Sequence, residues 1–273
     1  MPIQITTTEV FGSVRQRPLL RGASARLRRV REHMRDFDRA VGQFQRKLDA
    51  VRLAALQFDR DASILKKPVQ EMADAREDIE VITGEVIQNL RSALDYLIYE
   101  LSYLDCGQLN DGTQFPIYKS PNDFALQRNR HMKGLDDEHV APLQKLQPYL
   151  GCDWTALLRD LSNKDKHRRL HWIDGVIELD IPGLTTDGEA DTHSRQFFEA
   201  LELKANVNVD FDPPFFVAFE DGRRVKETLD VLESQVSRTL DLFRPCFDGQ
   251  CRHLTPSEWV RQMDSLPLVR PDA

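Results

Sequence analysis

Residues 162–171 read SNKDKHRRLH: an Asn, an Asp, two Lys, two His and two Arg around one aliphatic side chain. Such a density of hydrogen-bonding and titratable groups is either a surface turn or a site. His167 and His171 are four apart, so a helix would put both imidazoles on one face, and Asp160 or Asp165 could complete a metal set. The chain is expected to leave helix for strand near 168–172, which separates the imidazoles, so no metal is expected there. Cys246, Cys251 and His253 lack the second cysteine pair of a closed zinc site and read as thiols around a turn.

A second polar group stands on a helix expected over 78–104. Its apolar stripe is Val86, Ile87, Leu90, Leu94, Leu97, Ile98, Leu101 and Leu104, and the other side carries Asn89, Arg91, Ser92, Asp95, Tyr96 and Tyr99. Arg91 and Asp95 sit at i, i+4. A helix with a full apolar stripe lies between core and something polar, and a half-buried Arg–Asp pair must find partners. The SNKDKHR turn is expected to supply them, with Asn163, Asp165 and His167 within reach of Arg91 or Asp95.

The elements that must position these groups follow from periodicity. Residues 1–22 read as an extended arm closed by Pro18 and Gly22. Leu27, Val30, Met34, Phe37, Val41, Phe44, Leu48, Val51 and Ala55 form an a/d seam on a helix over 24–57, capped by Ser24, that needs a long apolar partner in this chain or in a second copy. Residues 57–74, interrupted by Pro68, read as a loop or short strand. Shorter helices are expected at 121–132 with an Asn or Asp cap, at 135–150 from Asp136 or Asp137, and at 153–163, where Asn163 tolerates the left-handed conformation that ends a helix. The period then changes from 3.6 to 2. LELKANVNVDF at 201–211 alternates cleanly, flanked by IDGVIELDI at 173–181 and FFVAFED at 215–221. A last helix carries Val225, Leu229, Leu232, Val236, Leu240 and Phe243.

The predicted class is therefore α+β: long antiparallel helices forming a helical core, with a small antiparallel β-meander and a C-terminal helix. The predicted organisation is an arm at 1–22, a helical core at 23–170, a meander at 171–222, a C-terminal helix at 223–250 that packs back on the core, and a tail at 251–273.

With 273 residues, 41% hydrophobic and 30% charged, the chain can bury a sizeable core. Net charge is −7, unevenly spread. Residues 1–50 hold eleven Lys/Arg against five Asp/Glu, which gives +6 and leaves −13 for the rest. Arg15, Arg17, Arg21, Arg26, Arg28, Arg29, Arg31 and Arg35 form a basic stretch that would attract RNA or an acidic protein, or simply solvate a helix. GxxxxGK[ST], GxGxxG, GxSxG and HExxH are all absent, against the commonest nucleotide-binding and hydrolase classes, and no cofactor is expected. The first residues lack a charged start and an apolar core, and the longest apolar run, PPFFVAF, is too short for a bilayer, so a cytoplasmic protein without membrane contact is expected.

GEVIQNLRSALDYLIYEL (84–101), QFPIY (114–118), LQPY (146–149) and LSNKDKHRRL (161–170), in that order, resemble a family of uncharacterised bacterial proteins over roughly residues 24–180. Where that family has His before Asn-Leu-Arg, this chain has Gln88. SNKDKH also resembles HEPN-domain ribonucleases, helical bundles with an Arg, a polar residue and, a few residues on, a His. Asn163 and His167 match, whereas Ser162 stands in place of the Arg, a charge that Arg91 or Arg168 would have to replace. That resemblance implies metal-independent RNA cleavage, possible roles in stress or defence, His167 as general acid or base, Arg91 or Lys166 stabilising charge on phosphate, and Asn163 orienting the imidazole or phosphate. Asp165 and Arg168 complete the candidate catalytic set. Asn89, Asp95, Tyr99, Arg26, Arg28 and Arg29 are the binding candidates. The other reading of the chain is a non-catalytic protein-interaction or nucleic-acid-binding module, which would include a homodimer formed through the 24–57 helix.

Overall fold

The structure, a computed structural model, describes residues 20–56, 63–167, 217–219 and 221–248. Its helices are α1 (Arg21–Leu56), α2 (Ser63–Cys106), α3 (Pro121–His131), α4 (Asp137–Lys145), α5 (Asp153–His167) and α6 (Val225–Phe247), with a 3-10 turn at Pro148–Leu150 before α5. Among the described residues no helix is long and apolar enough to cross a membrane.

The α1 stripe is real and is covered by this chain. Leu20, Ala23, Leu27, Val30, His33, Phe37, Ala40, Phe44, Leu48 and Val51 are all buried. His33 and Ala40 take the places that periodicity gave to Met34 and Val41. A straight helix drifts against a strict 3.5-residue period, so these two positions step aside while Phe37, Phe44, Leu48 and Val51 keep the expected line. Helix α2 begins at Ser63 instead of near Asp78. Pro68 falls in its second turn, where the missing amide removes one backbone bond, and the following VQEMADARED run is rich in helix formers.

The α+β expectation is overturned. The described residues are mostly helical and contain no strand, and the only pairing in the described part of the 171–222 segment is one antiparallel bridge, Ala218–Arg224. There Phe219 donates to Arg223 O at 2.8 Å, Gly222 donates to Phe219 O at 2.9 Å, and Val225 donates to Val217 O at 2.8 Å. Gly222, at φ +84°, makes the turn. Because α6 starts at Val225, the partner backbone winds into helix after a single bridge. Val217, Ala218 and Phe219 are buried consecutively, so this segment lacks the alternation of a half-buried strand. The strands expected at 173–181 and 201–211, the arm at 1–19 and the tail from 249 lie outside the described residues.

The chain divides into two compact units: residues 1–27, 91–159 and 234–273 in the first, 28–90 and 160–233 in the second. In the first unit, α1 meets α2 in opposite directions. Glu100 accepts from the Gly22 amide at 3.0 Å, and the Arg26 guanidinium lies 5.4 Å from the centre of the Tyr96 ring. Gly22 allows this approach, since a Cβ there would stand 2.4 Å from the Tyr96 ring. In the second unit, His33 meets Glu85 at 3.1 Å, and Arg31 meets Glu233 of α6 at 2.7 Å. The expected packing of the first long helix along the second is thus present in each unit.

Helices α3 and α4 start close to where they were expected. The cap of α3 is Ser120, whose hydroxyl accepts from Asp123 N at 3.1 Å, rather than an Asn or Asp. Asp136 takes the cap position of α4. Helix α5 does not end at Asn163 but runs on to His167.

Candidate functional site

The segment 114–118, QFPIY, belongs to no helix and has no strand beside it, so its backbone groups need other partners. Helix α2 supplies two. Asp95 Oδ1 accepts from Phe115 N at 2.8 Å, and Arg91 donates to Phe115 O at 2.8 Å. The two side chains also pair with each other at 3.0 Å. From the other side, Gln147 of LQPY donates to Pro116 O at 2.9 Å and accepts from Tyr118 N at 3.0 Å. Gln147 also donates to Leu143 O and is fully buried. The Gln114 amide donates to His131 O at 3.0 Å, at the end of α3. Three stretches distant in sequence, NLRSALD, QFPIY and LQPY, are thereby one hydrogen-bonded assembly in the first unit.

At the end of that strap Tyr118 stacks parallel to His131, ring centres 6.1 Å apart, with its hydroxyl on His131 Nδ1. The Gln114 side-chain amide lies 3.0 Å from Nε2. Burial pushes His131 below its ordinary value of 6.5, and the Arg130 and Arg91 charges push the same way. Burial pushes the Tyr118 phenol up, against the pull of the Arg91 and Arg130 charges. Both groups are therefore neutral near pH 7, and the phenol oxygen and the Gln114 amide nitrogen both approach the ring nitrogens. This is an acid–base pair near two guanidiniums. Sequence reasoning passed over His131, Tyr118, Gln114 and Gln147. Gln114, Tyr118 and Gln147 lie in QFPIY and LQPY, but nothing in a residue type says that its partner is backbone.

The other candidates are placed as follows. Asn89 donates to Glu85 O of its own helix at 2.8 Å. Tyr99 is half-buried on α2. Arg26 lies over Tyr96. Arg28 and Arg29 are exposed on α1, and Arg29 pairs with Glu32 at 2.9 Å, which holds the Glu32 carboxyl below its usual range. In the second unit Gln88 donates to Ser162 O of α5 at 3.2 Å, beside the exposed Asn163. The side chains of Asp165, Lys166 and His167, and the whole of Arg168, lie outside the described residues. Among the described residues no group of His, Cys, Asp and Glu could hold a metal ion. No family model, no curated protein and no solved structure matches this chain.

Proposed function

We propose that the chain is a helical, HEPN-like module that acts on RNA without a metal ion, through the Asn163–His167 turn of α5. One observation carries this reading. Because α5 continues as helix through His167, positions 163 and 167 stand one helical turn apart on the same side, the relation a polar residue needs to orient an imidazole. The Gln88–Ser162 bond ties the start of that turn to α2. Arg91 is committed to Phe115 and Asp95, which leaves Lys166 and Arg168 as the cations for developing phosphate charge. The exposed Arg28 and Arg35 of α1 would add a salt-sensitive attraction for the strand.

A second reading, a non-catalytic interaction module, is favoured by the strap. There Arg91, Asp95 and Gln147 are used to build the fold rather than to face a substrate.

Mixed RNA incubated with the purified full chain, with and without chelator, separates the two. The catalytic reading expects chelator-insensitive cleavage that falls by at least about 100-fold in His167→Ala, with the melting temperature kept. The interaction reading expects no cleavage in the parent chain.

A further inference from the structure

Five Asp-Gly steps occur in the sequence, and in two of them, Asp111–Gly112 and Asp221–Gly222, both residues are described. Such a step has a chemistry of its own. The glycine backbone nitrogen can attack the aspartate Cγ, because no Cβ on the glycine blocks the approach. Whether it does so depends on how freely the amide and the carboxylate can move together. The two steps differ sharply in that respect.

At Asp221–Gly222 both reacting groups are held. The Gly222 amide donates to Phe219 O at 2.9 Å. Asp221 Oδ1 accepts from Arg223 N at 3.2 Å, and Oδ2 pairs with the Arg223 guanidinium. At Asp111–Gly112 neither is held. Among the described residues the Asp111 carboxylate and the Gly112 amide have no hydrogen-bond or ion-pair partner, and both residues are exposed. Gly112, at φ +77°, has open space where a Cβ would stand. The flanks of this step, by contrast, are fixed. Asn110 is buried, donates to Ser102 Oγ at 2.9 Å, and accepts at its carbonyl from the Thr113 hydroxyl at 3.2 Å. Gln114 N donates to His131 O at 3.0 Å.

We propose that Asp111–Gly112 is a modification site at which isoaspartate forms spontaneously, while Asp221–Gly222 is protected by its bonds. Gly112 N bonds to Asp111 Cγ. The amide proton, one solvent proton and one carboxylate oxygen leave as water, and a succinimide ring results. Water then adds to the main-chain carbonyl carbon of Asp111 and breaks its bond to Gly112 N. The new α-carboxylate returns a proton to solvent, and the chain now runs through Cγ. Only water enters, and the mass is unchanged. The product adds one backbone methylene between Asn110 and Gln114, the first residue of the strap, and so loosens the Thr113–Asn110 bond. It also presents a free α-carboxylate on the surface, the group that isoaspartyl methyltransferases esterify. The Asn163–His167 turn plays no part in this chemistry.

Ageing the full chain at neutral pH in heavy-oxygen water, below its melting transition, and digesting it in ordinary water tests this. Peptide mapping should find heavy oxygen in the peptide holding Asp111, and an isoaspartyl methyltransferase should transfer labelled methyl to that peptide. Label there should accumulate at least about tenfold faster than in the peptide holding Asp221, as when attack must first break a hydrogen bond. In urea, which frees both steps, the gap should close. Asp111→Glu, whose longer side chain does not close a five-membered ring, should take up no label at that position. The aged parent should melt below the aged Asp111→Glu variant, and coincident melts would overturn the loosening of the strap. Absence of label at Asp111, equal accumulation at Asp221 in the folded chain, or a gap that survives in urea would each overturn the proposal.

Discussion

Arg91 and Asp95, one helical turn apart on α2, hold Phe115 by its main chain at both ends: the guanidinium takes the carbonyl and the carboxylate takes the amide, each at 2.8 Å. The relation replaces a missing strand with two side chains. Phe115 itself is fully buried, so its backbone groups have no water to fall back on.

Asp95→Ala strands the Phe115 amide and should lower stability by about 1–3 kcal/mol. Arg91→Ala should cost a similar amount by freeing the carbonyl and removing the ion pair with Asp95. Chemical denaturation of both variants checks this. A parent-like midpoint for either would mean that the strap is held by its apolar contacts alone.

Phe37 and Leu94, 2% and 0% exposed, lie in the buried stripes of α1 and α2. Replacing either with Asp should cost at least about 3 kcal/mol, from lost packing and an unpaired buried charge. Loss of the cooperative melt, or of soluble protein, is the expected outcome, and an unchanged melting temperature would refute the pairing.

His131 gives a pH signature. Its folded value lies below 6.5, so between that value and 6.5 the unfolded chain binds more protons than the folded one. Stability should therefore rise with pH through this window. The contribution is complete above 6.5 and lost as pH falls through the folded value. An NMR titration should give an imidazole midpoint below 6.5, and His131→Gln should flatten the acid side of the stability curve.

Glu100 works in the opposite direction. Burial raises its carboxyl above 4.5, although the amides of Gly22, Ala23 and Leu20 pull it down. The folded chain then binds more protons between 4.5 and the raised value, so stability should fall as pH rises through that window. Glu100→Gln keeps an acceptor for Gly22 and should remove that slope in urea melts between pH 4 and pH 7. A slope that persists would locate the dependence elsewhere.

Much of the helical frame was legible because burial repeats at a fixed period. Leu27, Val30, Phe37, Phe44, Leu48 and Val51 on α1, and Val225 to Phe243 on α6, all lie in the core as spacing predicts. His33 was not legible, since a polar letter in an apolar stripe breaks the pattern that identifies the stripe. The strap was only half legible. Arg91 and Asp95 were recognisable as a pair that must find partners, but those partners proved to be the main chain of Phe115. The expected contact of that pair with His167 and Asp165 lies outside the described residues. Val217–Phe219 read as strand because aromatic and β-branched residues favour pairing, whereas the helix that starts at Val225 takes the partner backbone away.

The chain passes between its two units at 27/28, 90/91, 159/160 and 233/234. Each of these junctions falls within a helix: α1, α2, α5 and α6 in turn. None of these four junctions is a linker: each cut would sever a helical hydrogen-bond ladder, and releasing either unit whole would need all four. A truncation at 90/91 or at 159/160, from either end, therefore discards part of both units.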